Sequence, residues 1–171
     1  MYLHHVEALP EGVEIDLQSI ANKVFETIAM AKVSTSAQEA RELGFIRPHD
    51  GISINADHLL SDAKDKVLYL ADHGYQPPKR NKIPVVGETG YATMFLGAKQ
   101  MKLNGFISDH DLKIAEKLAF VIAGGRVAKG SKVDEQYLLD LEREAFLSLL
   151  GEQKTLQRMQ HMLTKGKPLR N

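Results

Sequence analysis

Apolar residues along the chain recur mostly at intervals of three and four, the period of a helix buried on one side. Over residues 17–32, Ile20, Val24, Ile28 and Ala31 fall on one face, with Asn22, Lys23 and Glu26 on the others. A helix opening at Asn55 or Asp57 and running to about His73 carries Leu59, Leu60, Ala63, Val67 and Leu70 as a stripe predicted to be buried. Over residues 134–150, Leu138, Leu141, Ala145 and Leu149 are predicted to face inward. Further helices are expected over residues 1–9, 91–103, 108–123 and 155–164. The segment 83–86 breaks this period: short, apolar and β-branched, it reads as a brief strand.

Starts and stops sharpen these segments. Asp16 is placed to cap the helix that follows it. Ser36 precedes Glu39 by three positions, the spacing of a capping box, and Ser108, with Asp111 three positions on, opens another helix. After Ser36, Ala37, Ala40 and Leu43 share a face, and Gly44 sits where a left-handed stop is needed. Gly74, Gly105 and the pair Gly124-Gly125 end later helices, Gly151 interrupts another, and Pro10 and Gly12 break the first. The expected fold is all-α or nearly so, a module of packed antiparallel helices with at most a very short strand. Two prolines followed by polar and basic residues make 76–82 a linker. The expected division is therefore a helical segment 1–75 and a C-terminal helical region 83–171, unless both form one continuous domain.

Composition narrows the function. Charged residues are 26% of the chain and the formal net charge is zero, which argues against a large nucleic-acid surface. Cysteine is absent, which excludes disulfides, zinc–thiolate sites, Fe–S clusters and cysteine nucleophiles. No apolar run approaches the ~18 residues of a membrane helix, and the N-terminus lacks a signal-peptide layout. A cytoplasmic protein is expected.

Candidate chemistry is sparse. Of seven histidines, none forms the His-x-x-x-His pair that sets two imidazoles on one helix face. Asp109-His110-Asp111 groups three potential ligands, yet neighbours on a helix diverge by about 100°, and the position suits a helix cap. Val86-Gly87-x-x-Gly90 hints at a phosphate cradle but lacks either full glycine fingerprint. Gly124-Gly125-Arg126 has the pattern of an anion nest, though a helix stop explains it. Glu142 and Glu144 diverge as i and i+2 neighbours, so they do not converge on a reacting atom. Ser34-Thr35-Ser36 fits turn chemistry. Lys165, Lys167 and Arg170 form a small basic tail. The residues themselves assign no catalytic and no metal site.

Longer blocks carry a resemblance. The pattern Ser36-Ala37-x-Glu39-Ala40-x-x-x-Gly44-Phe45-Ile46 resembles a segment of the crotonase (enoyl-CoA hydratase/isomerase) superfamily. Residues 24–37, 83–92, 107–115 and 135–171 resemble bacterial 3-hydroxyacyl-CoA dehydrogenases of fatty-acid β-oxidation that carry a crotonase-like enoyl-CoA hydratase domain at their C-terminus. The resemblance covers essentially the whole chain. It departs from that group in lacking the glycine-rich dinucleotide-binding segment and the spiral core that supplies the oxyanion donors and carboxylates. What it implies is the C-terminal helical part only, as from a split gene or a truncation, with no catalytic residue carried over.

That part would help form the acyl-CoA pocket or an oligomer interface and be inactive alone. Its implied partners are the N-terminal dehydrogenase and crotonase-core portion and, in a homo-oligomer, further copies; no nucleic acid and no membrane span are expected. NAD and an acyl-CoA substrate are implied for the full-length family protein. Lys165 and Lys167 match the neighbourhood where a basic residue approaches the CoA nucleotide. Two rival readings are an independent helical protein-interaction module without catalysis and a small metal enzyme using the histidines.

Overall fold

The structure, a computed structural model, describes residues 1–7, 16–77 and 82–171. The expected break at Pro10 and Gly12, and residues 78–81 of the expected linker, lie outside the described residues. Eight α-helices and one two-stranded sheet are formed among the described residues: α1 (Tyr2–Glu7), α2 (Leu17–Ala29), α3 (Ala37–Glu42), α4 (Leu59–Asp72), β1 (Ile83–Pro84), α5 (Gly87–Leu103), α6 (Asp109–Ala123), β2 (Lys132–Val133), α7 (Glu135–Leu150) and α8 (Gln153–Lys165). The predominantly helical fold is the one the periodicity predicts. The chain divides into two compact units, residues 1–32 with 82–171, and residues 33–81. Residues 1–32 thus belong with the C-terminal region and not with residues 33–75, because α1 and α2 supply Tyr2, Leu17 and Phe25 to a core shared with α5 and α6.

In the larger unit, local chemistry sets the helix ends. The Asp16 carboxylate accepts the N–H groups of Gln18 and Ser19, at 3.1 and 3.2 Å, and so caps α2. The buried face of α2 is Ala21, Val24 and Thr27, rotated from the predicted stripe, and Ile28 is exposed. Thr27 is tolerated inside because its hydroxyl donates to Lys23 O at 2.8 Å, which satisfies its polar group within the helix. Helix α5 begins at Gly87, four residues before the predicted start. Ser108 and Asp111 form the complete capping box of α6, and Gly124 ends that helix at φ +83°.

The centre of this unit is made of small residues. Its buried apolar side chains are Ala21, Val24, Ile83, Val85, Val86, Met94, Ala98, Ala115, Ala119 and Ala123. Alanine faces let helix backbones approach closely, and the larger Leu17, Phe25, Tyr91 and Ile122 close the margins, half-buried. Strand β1 pairs antiparallel with β2, Ile83 opposite Val133 and Pro84 opposite Lys132. The loop 127–131 continues this clasp: Val85 N–H donates to Ser131 O, Gly130 N–H to Val85 O and Glu88 N–H to Val127 O, at 2.9 to 3.0 Å. At Gly87, φ is +62° and a Cβ would lie 2.4 Å from Val127 O, so only glycine admits the two backbones so close. Tyr2 fixes α1 to the same place, its hydroxyl donating to Pro84 O at 3.0 Å. Burial pushes the Tyr2 phenol up to about 12.

The smaller unit is held largely by polar bonds. Ser36 Oγ accepts the Glu39 N–H at 3.1 Å. The Glu39 carboxylate accepts from the backbone and hydroxyl of Thr35, both at 2.6 Å, so the box closes one residue earlier than its spacing predicts. Gly44, at φ +77°, ends this turn of chain. A one-turn 3-10 helix, Ala56–His58, is capped by Asn55 and leads into α4. Ser53 ties the loop to α4 by donating to Asp62 at 2.6 Å. The stripe predicted to be buried on α4 is not: Leu59, Leu60, Ala63 and Val67 are exposed, and only Leu70 is half-buried. One 6-residue helix and short turns are too little chain to cover a helix of 14 residues.

Candidate functional site

The N-terminus of α6 is the most heavily bonded polar cluster among the described residues, and it resolves the Asp109-His110-Asp111 triplet. The three side chains part. Asp109 pairs outward with Lys102 at 2.8 Å. His110 points inward and is buried, its Nε2 sharing a hydrogen bond of 3.0 Å with Thr155 Oγ1 of α8. Asp111 accepts from the Ser108 N–H at 3.0 Å, from Arg158 at 2.7 Å and from Arg170 at 3.1 Å. Arg158 also donates to Asn171 Oδ1 at 2.8 Å, which binds the end of the chain to α8.

Charge here is matched. Burial pushes the Asp111 carboxyl up, but the Ser108 N–H and hydroxyl and the Arg158 guanidinium outweigh it and hold the group well below the usual carboxylate range. His110 is pushed down, first by burial and then by the Arg158 and Lys154 charges, so it is neutral at pH 7. A neutral imidazole bonded to a threonine, beside a carboxylate committed to two arginines, is an anchor and not an acid–base pair. Among the described residues no three metal-ligating side chains converge, and the triplet acts as the cap that its position predicts.

The remaining sequence candidates are placed as follows. Gly87 and Gly90 serve packing. A Cβ on Gly90 would lie 2.2 Å from Val86 Cγ2, and the approach at Gly87 is to the Val127–Lys129 backbone. Glu88 stands in the same first turn, where a phosphate would meet its carboxylate. These residues do not fit the pyrophosphate of NAD, whose binding needs open N–H groups and a backbone free to approach. The Gly124 and Gly125 N–H groups donate to Val121 O and Phe120 O, closing the helix end and leaving no anion nest. Glu142 and Glu144 are both exposed on α7. Thr35 and Ser36 are spent on capping.

Lys165 is the last residue of α8 and Lys167 follows Gly166, which takes φ +64°. Both side chains are exposed. A shallow groove of about 420 Å³ runs along α8, lined by Leu156, Gln157, Gln160, His161, Thr164 and Leu169. Its amides, hydroxyl and imidazole offer hydrogen bonds, and Thr164 brings its rim to the residue before Lys165. Neither lysine lines the groove. The groove holds no paired nucleophile and base. The sequence missed the Arg158–Asp111 and His110–Thr155 pairs, which join residues 47 and 45 positions apart and leave no local pattern.

Comparison with known proteins gives one close relative. Over 156 residues the chain is 64% identical to the "Probable 3-hydroxyacyl-CoA dehydrogenase" of Bacillus subtilis (strain 168). The match takes in 91% of this chain but only 20% of that protein, so the chain spans about a fifth of its relative's length. No protein-family profile matches the chain, and no solved structure matches it. Among the described residues no helix is long and apolar enough to cross a membrane.

Proposed function

We propose that the chain is one part of a fatty-acid β-oxidation 3-hydroxyacyl-CoA dehydrogenase that also carries a crotonase-like enoyl-CoA hydratase portion. In this reading it is the C-terminal helical part, works beside the dehydrogenase and hydratase core in the cytoplasm, and is inactive alone. It helps form the acyl-CoA pocket or an oligomer interface. The observation that carries the reading is the 64% identity, over nearly the whole chain, to a fifth of a probable 3-hydroxyacyl-CoA dehydrogenase. The committed polar cluster at α6 supports it, since its groups are bonded for anchoring.

Within this reading, Lys165 and Lys167 hold the phosphates of the CoA nucleotide. NAD and the acyl-CoA supply the chemistry of the whole enzyme, and this chain's residues contribute binding and shape. The test is calorimetric titration of the purified chain with CoA and a medium-chain acyl-CoA, with hydratase and dehydrogenase turnover assayed in the same samples. Binding without turnover, weakened by Lys165→Ala and Lys167→Ala, is expected. Turnover by the chain alone would overturn the reading. The rival, an independent interaction module without catalysis, draws on the uncovered α4 face and predicts a folded chain with no affinity for CoA.

A further inference from the structure

The α4 helix carries its apolar stripe on the outside. Leu59 is 60% exposed, Leu60 83% and Val67 64%, with exposed Ala63 between them on the same face. Such a stripe is ordinarily the side a helix buries. Asp65 and Asp72 lie on the opposite side of the helix, while Lys64 and Lys66 flank the stripe, one turn on from Leu60 and two turns on from Leu59. Nearby Ile54 is fully exposed, and Tyr69 and Tyr75 more than half. Scattered exposed leucines mean little, but a continuous stripe on one helix marks an interaction surface.

What covers it is indicated by length. The relative carries a segment 64% identical to this chain within a polypeptide five times as long, and the match omits no more than 15 of the 171 residues here. In that relative the matching segment stands beside about four-fifths of a further chain. We infer that the Leu59–Leu60–Ala63–Val67 face of α4 docks on an apolar surface of that remaining four-fifths, as an interface inside one enzyme. This rests on the reading of the chain as part of such a dehydrogenase. The surface that receives α4 is apolar at its centre, with Lys64 and Lys66 standing at the rim of the contact.

The test grafts this chain into the full-length Bacillus subtilis protein in place of its matching fifth. Solvent labelling of side chains by hydroxyl radicals is then compared with that of the isolated chain. The labelling rate of Leu60 and Val67 is expected to fall roughly tenfold in the graft, as exposed side chains become buried. The substitutions Leu60→Glu and Val67→Glu should leave melting of the isolated chain unaltered and restore labelling at Leu59 in the graft. Equal labelling of Leu60 and Val67 in both proteins, with the graft oxidising a 3-hydroxyacyl-CoA in the presence of NAD, would overturn the docking and leave the functional reading standing. A graft without that activity would remove the reading, and the docking with it. Protection already present in the isolated chain would also overturn the inference: if it grows with concentration, a second copy covers α4, and if not, the chain covers it itself.

Discussion

Arg158 donates to Asp111 at 2.7 Å and so holds α8 against the N-terminus of α6, with both side chains largely buried. Removing the guanidinium leaves a carboxylate with little water and one remaining cation, Arg170, which is itself exposed. Arg158→Ala should therefore cost about 2–3 kcal/mol, somewhat under the ~3–5 kcal/mol of a fully buried broken pair. Arg170→Ala should cost about 0–1 kcal/mol. Urea unfolding of the two variants checks the ranking, and equal losses would refute it.

Acid should loosen the same contact in two stages. His110 titrates below its ordinary 6.5 when folded, so the unfolded chain takes its proton first, and stability declines as pH falls through 6.5. Asp111 titrates below its ordinary 3.8 when folded. Its contribution is complete above that value and is lost progressively below it, down through the lower folded value. Unfolding midpoints measured from pH 8 to pH 3 should show both declines. His110→Gln should flatten the first, and Asp111→Asn should shrink the second, which Asp16, Glu39, Asp109 and Glu152 share because hydrogen bonds hold their carboxyls below the usual range too.

Two glycines separate backbone strain from crowding. Gly105 (φ +75°) has open space where a Cβ would go, whereas a Cβ on Gly124 (φ +83°) would lie 2.7 Å from Val85. Gly105→Ala should cost about 1 kcal/mol, from the left-handed backbone alone. Gly124→Ala should cost about 2–4 kcal/mol, because the buried Val85 must also shift. Thermal melts of the pair read the difference directly.

Tyr2→Phe removes only the hydroxyl that donates to Pro84 O. A loss of about 1 kcal/mol is expected. Faster amide exchange across β1 and β2 should accompany it, since α1 braces that sheet, and unchanged exchange there would mean that the bond contributes nothing.

The features legible in the sequence are those that neighbouring residues settle. Asp16, Ser36 and Ser108 start helices where predicted, and Gly44, Gly74 and Gly124 stop them, because capping needs only three or four consecutive residues. What was missed depends on distant partners. Strand β2 has two residues and no pattern of its own, existing only because β1 lies beside it. The start of α5 at Gly87 is set by the Val127 carbonyl, not by any capping side chain. The α2 face was misjudged by ranking Ile28 above Ala21 and Thr27, when close helix packing favours the smaller residues. At the candidate site, Lys165 and Lys167 were suggested by resemblance alone, whereas the Arg158–Asp111 anchor had no local signal.

The alanine- and valine-built core also governs how the protein responds to temperature. Side chains this small bring little hydrocarbon into water when the chain unfolds. Its heat capacity of unfolding should then fall below the usual ~12–15 cal/mol/K per residue. The stability curve becomes shallow: cooling gains little and warming loses little until the melt itself, which is broad. Covering α4 would add apolar burial from outside that core and steepen the curve, so the chain with α4 covered and the chain with it bare would differ in curvature as well as in melting temperature.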